Sequence, residues 1–473
     1  RRMDETPPTV RSVPVRRPAI ALLSAVLAVT AVVVPTSAEA DGAPPKRIVS
    51  GWIPYWMSSP SSPGGVTSLV QNADLLTDVS PFWYSAVAKS GGGVQVKFNA
   101  NFGNGAANAA WAMGQLKAAG IPVLPAIADS SGKGRMAATL ANPGLRAAHV
   151  ADIVNLVVSN GYDGIDLDYE GFAFTDGSSS WAATKPNWTA FIQELGAALH
   201  AQGKLLAVTI PPPCSMSGTC SQATGYWVYN MTGIAPSADR IRIMAYDYSV
   251  RGIGPLAPMP WVRAIVQYSA SVMDPARLQI GVPTYGRAWT RLTSSGAYRL
   301  SGVCPTDKSS SAYRSLTGMQ SPSGSTIPAL LASVGATGSV EWDAEKQEYT
   351  AYYDKAVQWT DSSGAAKRVL QFLGPQGVLA RTQLVGEFGL SAAAYWTIGG
   401  EDPAQWPVLR AYGQSLAPAG TDVATVGVPS AVFGTPLTFT ATVGSLGAPL
   451  AGVSAVLQFR AAGTKKFIDV QAQ

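Results

Sequence analysis

The sequence is short of the residues that metal and nucleophilic chemistry most often use. It holds two histidines and three cysteines in 473 residues. His149 and His200 both fall in helix-like segments, so neither a Ser-His-Asp triad nor a His-rich metal site is expected. The cysteine spacing gives no zinc pattern. Cys214 and Cys220 share one Pro/Ser/Gly-rich loop and are a disulfide candidate outside the cell, which leaves Cys304 over. Charge is scarce too: charged residues make up 13% of the chain against 47% hydrophobic. That excludes disorder and allows a large core. There is no Lys/Arg run, and five Arg against three acids within 1–40 carry +2 of the formal +5. Nucleic acid is therefore not an expected partner.

Long apolar runs are also lacking. The stretch 19–34 is short for a bilayer span, and no other approaches one. Arg16-Arg17 precedes it and Ala38-Glu39-Ala40 follows it, the order of a secretory signal over 1–40. The expected product is secreted, extracellular, free of the membrane once the signal is removed, and monomeric. An uncleaved anchor is the alternative.

What is present is alternation. Between 46 and 412, β-rich runs near 47–53, 79–86, 121–127, 163–170, 204–210, 240–247, 278–285 and 391–397 alternate with helical patterns. Segments 107–119, 144–160, 189–201 and 259–272 are examples. Eight such units predict an α/β protein, a (β/α)8 TIM barrel. An open doubly wound sheet would usually show a Gly-rich phosphate loop after its first strand, and Gly51-Trp52-Ile53-Pro54 is not one. The gap between strands seven and eight is too long for a plain crossover, so 291–365 is read as an inserted α+β lobe, with Tyr349, Tyr352 and Tyr353 in its core. Residues 413–420 read as a linker. The alternation in 436–443 and 453–459 suggests the start of an immunoglobulin-like β-sandwich over 421–473, about half of such a domain.

The most informative segment is 163–170, Asp-Gly-Ile-Asp-Leu-Asp-Tyr-Glu. Side chains alternate across a strand, so Asp166, Asp168 and Glu170 share one face and Ile165, Leu167 and Tyr169 the other. In a parallel barrel the apolar set faces the helices and the acids face inward. Neighbouring buried carboxylates raise one another's pKa, and Glu170 falls at the C-terminal strand end, where barrel sites open. A Glu so placed suits general acid catalysis. A solvated acidic edge or a divalent-metal site is the competing reading.

This octapeptide matches the DxxDxDxE signature of glycoside hydrolase family 18, the chitinase family, at all four acidic positions. Met244-Ala245-Tyr246-Asp247, Gly281-Val282-Pro283-Thr284-Tyr285-Gly286-Arg287 and Ala394-Tyr395-Trp396 resemble that family's segments on strands six, seven and eight, in order. The resemblance covers roughly 46–412. It implies that Glu170 protonates the glycosidic oxygen, that Asp168 orients the substrate's own acetamido group, and that Asp166 shares a proton with Asp168. It further implies that Tyr246 hydrogen-bonds the acetamido oxygen, that Asp247 contacts sugar hydroxyls, and that Trp396 is the floor. The acetamido oxygen is then the nucleophile, and no cofactor or metal is required. Asp163, Met244 and Tyr285 join the substrate-binding set. Aromatics near other strand ends, Trp83 and Tyr84 first among them, are further sugar-stacking candidates, and about half of Trp52, Trp56, Trp83, Trp289 and Trp396 are expected in a cleft. The third strand, Ile121-Pro122-Val123-Leu124-Pro125-Ala126-Ile127-Ala128, lacks the family's Ser-x-Gly-Gly segment. The openings Gly51-Trp52-Ile53-Pro54-Tyr55-Trp56 and Pro81-Phe82-Trp83-Tyr84 are more similar to the bacterial branch that includes spore-cortex and peptidoglycan-acting members. The expected partner is a polysaccharide, chitin or chitooligosaccharides, with peptidoglycan glycan as the alternative. A sugar-binding lectin and a metal-dependent barrel hydrolase are readings of other classes.

Overall fold

Strands of a parallel barrel are covered on both faces, which favours nearly continuous apolar runs. Leu205–Ile210, Leu-Leu-Ala-Val-Thr-Ile, is such a run. The computed structural model describes residues 44–250, 252–290, 319–335, 340–359 and 362–417. It also describes the short stretches 421–426, 440–445, 448–449, 458–459 and 468–469. Two units are separable: Pro45–Leu416, and the chain ends Arg1–Pro44 with Ala417–Gln473.

In the first unit the barrel strands are Val49–Pro54, Ser80–Phe82 continued by Tyr84–Ala88, Ala126–Asp129, Gly164–Asp168, Leu205–Ile210, Arg240–Ile243, Leu278–Pro283 and Ala392–Trp396. They pair in parallel in that order, and the eighth returns to the first through Val49↔Ala393. The second strand is broken at Trp83. Its first half pairs with strand one and its second half with strand three, which completes the ring. The third strand begins at Ala126, later than its apolar run, because Pro122 and Pro125 have no N–H to give the ladder.

Helices Gly105–Ala118, Pro143–Ser159, Trp181–His200 and Met259–Val272 lie where the sequence places helices. Trp181–His200 starts eight residues before the expected 189. Pro186 in its second turn argues against an early start, but Trp181, Thr184 and Trp188 are buried on one side and hold that turn.

After strand seven comes a separate antiparallel sheet, in the order Gly286–Thr290, Ser362–Phe372, Glu348–Trp359, Val340–Asp343, with the helix Ile327–Ser333. Its strands reach beyond 291–365 on both sides. Tyr353 is buried against Ala288, Ile327 and Leu370, with Tyr349 packed beside them. Tyr352 points the other way and is exposed, as strand alternation requires. The C-terminal stretch shows Thr421–Val426, Thr440–Ser445 and Ala448–Pro449 in antiparallel pairing, and Gln458–Phe459 paired with Ile468–Asp469. The expected signal over 1–40, Cys304, residues 418–420 of the linker and most of the immunoglobulin-like region lie outside the described residues.

The barrel interior is polar at one level. Arg242 of strand six is fully buried. It donates to Gln279 Oε1 at 2.7 Å, to Asp166 Oδ2 at 2.7 Å, to Asp78 Oδ1 at 2.6 Å, to Ser50 Oγ at 3.2 Å and to Ser80 Oγ. Asp166 accepts two more bonds, from Trp52 Nε1 at 2.8 Å and Thr209 Oγ1 at 2.9 Å. Burial alone would raise the carboxyl of Asp78; Arg242, Ser50 and Arg240 outweigh it, and the net shift is downward.

Arg242→Met strands two buried carboxylates, and is expected to cost about 3–5 kcal/mol in urea unfolding at neutral pH. Asp78's folded-state value lies below its unfolded one, so its contribution is present above an unfolded pKa of about 3.9 and is lost as pH falls through the folded value. The variant therefore loses less stability on acidification than the native chain. Equal acid limbs would contradict this account.

Candidate active site

The strand that carries the acids is fixed from its outer face. Ile165, Leu167 and Tyr169 are buried among the helices. The Tyr169 ring lies against His149 and Phe191, its hydroxyl is 2.8 Å from His149 Nε2, and its carbonyl accepts from Tyr229 OH at 2.7 Å. Burial lowers the His149 pKa to about 4, so the ring is neutral at pH 7. With the odd residues pinned outward, Asp166 and Asp168 must point in.

Above them a cleft of about 1300 Å³ opens at the C-terminal strand ends. Asp168, Glu170, Met244, Tyr246, Asp247 and Trp396 line it. Asp166 lies below, spent on Arg242, Trp52 and Thr209. The hydrogen bond from Asp168 runs to Glu170, and Asp166 acts on it only by its charge. Burial first, then the charges of Glu170 and Asp166, push the Asp168 carboxyl well above the usual range. Glu170 is raised by burial, is lowered by the bond from Asp168, and is raised again by Asp247; the net is upward. The two carboxyls therefore titrate as a pair holding one proton beyond the pH at which isolated carboxyls lose theirs. Asp168 Oδ1 is buried and, among the described residues, has no hydrogen-bond partner.

Tyr246 lies against strand seven. A Cβ on Gly281 would sit 2.8 Å from the Tyr246 ring and 2.6 Å from Ile243 O, so the approach requires glycine. Burial, then the charges around it, raise the Tyr246 hydroxyl far above its ordinary value and keep it a donor. Asp247 takes a left-handed backbone, φ 57°, which few residues other than Gly, Asn and Asp tolerate. Three bonds hold its carboxylate: Tyr285 OH at 2.5 Å, Arg287 Nε at 3.0 Å and Arg287 Nη2 at 2.5 Å. Tyr285 thus reaches the site through Asp247 and does not itself line the cleft.

Three expected members are elsewhere. Asp163 is at the N-terminal end of its strand and accepts from Val123 N at 2.9 Å. Seven residues of extended chain put it about 20 Å from Glu170. Trp83 and Tyr84 follow the break in strand two and face outward. Trp83 is fully buried, stacks on Phe102 and donates to Ser58 Oγ. Tyr84 stacks on Phe98, with its hydroxyl 2.6 Å from that of Tyr162. Phe82, one residue earlier, lines the cleft in their place. Of the five tryptophans near strand ends, Trp52 and Trp396 line it and Trp56, Trp83 and Trp289 do not. Sequence reasoning also missed Thr209, Asp129, Tyr226 and Trp261 in the lining. Thr209 was legible by parity, two residues on from Ala207 on an inward face; the loop residues had no such cue. Cys214 and Cys220 are joined in a disulfide at the cleft wall.

A parallel barrel with a proton-sharing carboxyl pair at its mouth and tryptophan beneath is a barrel of the glycoside hydrolase type. The chain belongs to the glycosyl hydrolases family 18, whose model matches residues 82–385. It is 30% identical over 152 residues to YdhD of Bacillus subtilis (strain 168), named a sporulation-specific glycosylase, covering 32% of this chain and 33% of that one. To chitotriosidase-1 of Mus musculus it is 31% identical over 183 residues, 34% of this chain and 36% of that one. Both matches span about a third of the relative's length. The solved structure of a chitinase from Chromobacterium violaceum ATCC 12472 shares the fold, with a TM-score of 0.60 at 20% identity over 78% of this chain and 100% of that one.

Asp247→Asn removes a charge that raises Glu170. The titration of the Glu170 side-chain carboxyl, followed by ¹³C NMR, is expected to move to lower pH in that variant. No movement, or a rise, would show that Asp247 does not act on the pair.

Proposed function

We propose that this is a secreted hydrolase of β-1,4 bonds in N-acetylglucosamine polymers, chitin or its oligosaccharides, working with retention through the substrate's own acetamido group. The observation that carries the reading is the buried Oδ1 of Asp168, without a partner among the described residues, on a carboxyl that is raised together with its neighbour Glu170. A buried acceptor without a donor is costly, and an acetamido N–H would supply that donor. The same bond would turn the acetamido oxygen toward the anomeric carbon, where the Tyr246 hydroxyl would bind it. Glu170 passes the proton it shares with Asp168 to the leaving oxygen, which leaves Asp168 ionised, and the pair regains a proton when Glu170 takes one from the water that opens the oxazolinium ring. Trp396, edge-on to Phe82 at 4.9 Å and to Trp52 at 6.2 Å, is the apolar floor under the sugar. Export is supported by the basic, apolar and small-residue order of 1–40 and by the disulfide.

A second reading is an N-acetylglucosaminidase acting on peptidoglycan, favoured by the likeness to a sporulation-specific glycosylase. Chitooligosaccharides and purified cell walls, offered separately, divide the two. Under the first reading N-acetylglucosamine oligomers are released from chitin alone. Glu170→Gln is expected to lower turnover about 100- to 10,000-fold, the usual worth of a positioned proton donor, while calorimetry still detects oligosaccharide binding. Undiminished turnover in that variant would end the assignment.

A further inference from the structure

The two sides of the cleft differ. Strands eight, one and two carry Trp396, Trp52 and Phe82 on one side, largely covered and packed edge to face. The loops after strands four, five and six instead present apolar side chains to solvent. Phe174 is 57% exposed, Met216 49% and Ile253 47%. Among the described residues ten large apolar side chains are exposed, and four of them, these three and Val250, line this one cleft. Apolar exposure gathered in a groove marks a binding surface.

Phe174 is the member nearest the chemistry in sequence. It ends the short helix Gly171–Phe174 that begins directly after Glu170. Its ring meets Tyr226 edge-on at 5.3 Å, and Tyr226 rests on Trp181 at 5.9 Å. Tyr226 also lies close to the acid: after burial, the Glu170 charge is what raises its hydroxyl. Gly225 makes the placement possible. It has φ +58°, and a Cβ there would lie 2.4 Å from Pro212 O. An exposed ring is therefore backed by a half-buried Tyr226, itself resting on the buried Trp181, beside the proton donor.

Given the reading above, the sugar whose acetamido group meets Asp168 and Tyr246 lies over the Trp396 floor. The bond that breaks is at Glu170, so the departing sugar lies past Glu170. We propose that Phe174, backed by Tyr226, is the stacking platform for the leaving-group sugar and sets the preference for substrates that extend on that side. The sugar's C–H face covers the ring, and Tyr226 fixes the ring's angle.

The test compares N-acetylchitohexaose, whose leaving group is a sugar, with the β-fluoride of di-N-acetylchitobiose, whose leaving group reaches no platform. Phe174→Ala is expected to lower kcat/KM on the hexasaccharide about tenfold and to leave the fluoride within about twofold, the loss appearing mainly in KM. Phe174→Trp restores the hexasaccharide. Transglycosylation products fall with the Ala variant, because an acceptor sugar occupies the same place. Equal losses on both substrates, or no loss on the hexasaccharide, overturn the platform while the hydrolase reading stands. A native chain inactive on both substrates overturns the chitin reading, and the platform argued on it.

Discussion

The Arg242–Asp166 ion pair is the constraint on which the rest of the site depends. A guanidinium at the centre of a barrel is tolerable only when its donors are used, and Arg242 uses them on residues of the first, second, fourth and seventh strands and on Asp78 before the second. It thereby sets the angular position of several strands at once. It also decides which acid is available for chemistry. Asp166 is occupied by three donors, so of the three acids on its face Asp168 and Glu170 are left to hold the movable proton. Asp166 contributes its charge from below, and that charge helps keep the Asp168 proton in place.

Much of this was written in the strand itself. Parity in 163–170 determines which acids face in, and the apolar Ile165, Leu167 and Tyr169 determine the outer face. No long-range information is needed for that step. Parity also groups Arg242, Met244 and Tyr246, although it could not show that Arg242 closes on Asp166 across the barrel. The expected members that lie elsewhere do so for different reasons. Asp163 belongs to the acidic motif, but its height along the strand puts it at the end away from the cleft, where it accepts from Val123 N. Trp83 and Tyr84 lie near a strand end, but the break at Trp83 turns both outward and gives the inner position to Phe82. The aromatic wall from Phe174, Tyr226 and Trp261 comes from loops, where no periodicity connects sequence to direction.

The depth of the residues matches their chemical work. The level of Arg242 is closed and fully bonded. The next level holds one orphan acceptor, Asp168 Oδ1, and a shared proton. Above that the lining turns apolar and becomes exposed. Polarity is buried where it must be rigid and left unsatisfied where a substrate group would complete it. The open rim carries shape more than charge.

The rim also needs a fixed base, and the antiparallel sheet after strand seven provides it. Glu348, the first residue of its strand Glu348–Trp359, accepts from Leu256 N at 2.8 Å and Ala257 N at 2.7 Å, at the root of the loop that carries Tyr248, Val250 and Ile253. Arg381 completes the joint. It gives bonds to the carbonyls of Ala257, Lys346, Gln347 and Gly377, and burial lowers its pKa to about 10, still a cation at neutral pH. Farther along the same loop, Tyr248 OH donates to Met216 O at 2.9 Å, and Trp261 Nε1, on the helix that follows, donates to Ser215 O at 3.0 Å. The Cys214–Cys220 loop is thus tied to the strand-six loop, and that loop to the inserted sheet. Arg287, on the sheet's first strand, holds the Asp247 carboxylate by two bonds. One accessory sheet therefore steadies both an acid that tunes Glu170 and the apolar wall beyond it. The surroundings of Glu170 and the shape of the apolar wall are, for that reason, mechanically linked.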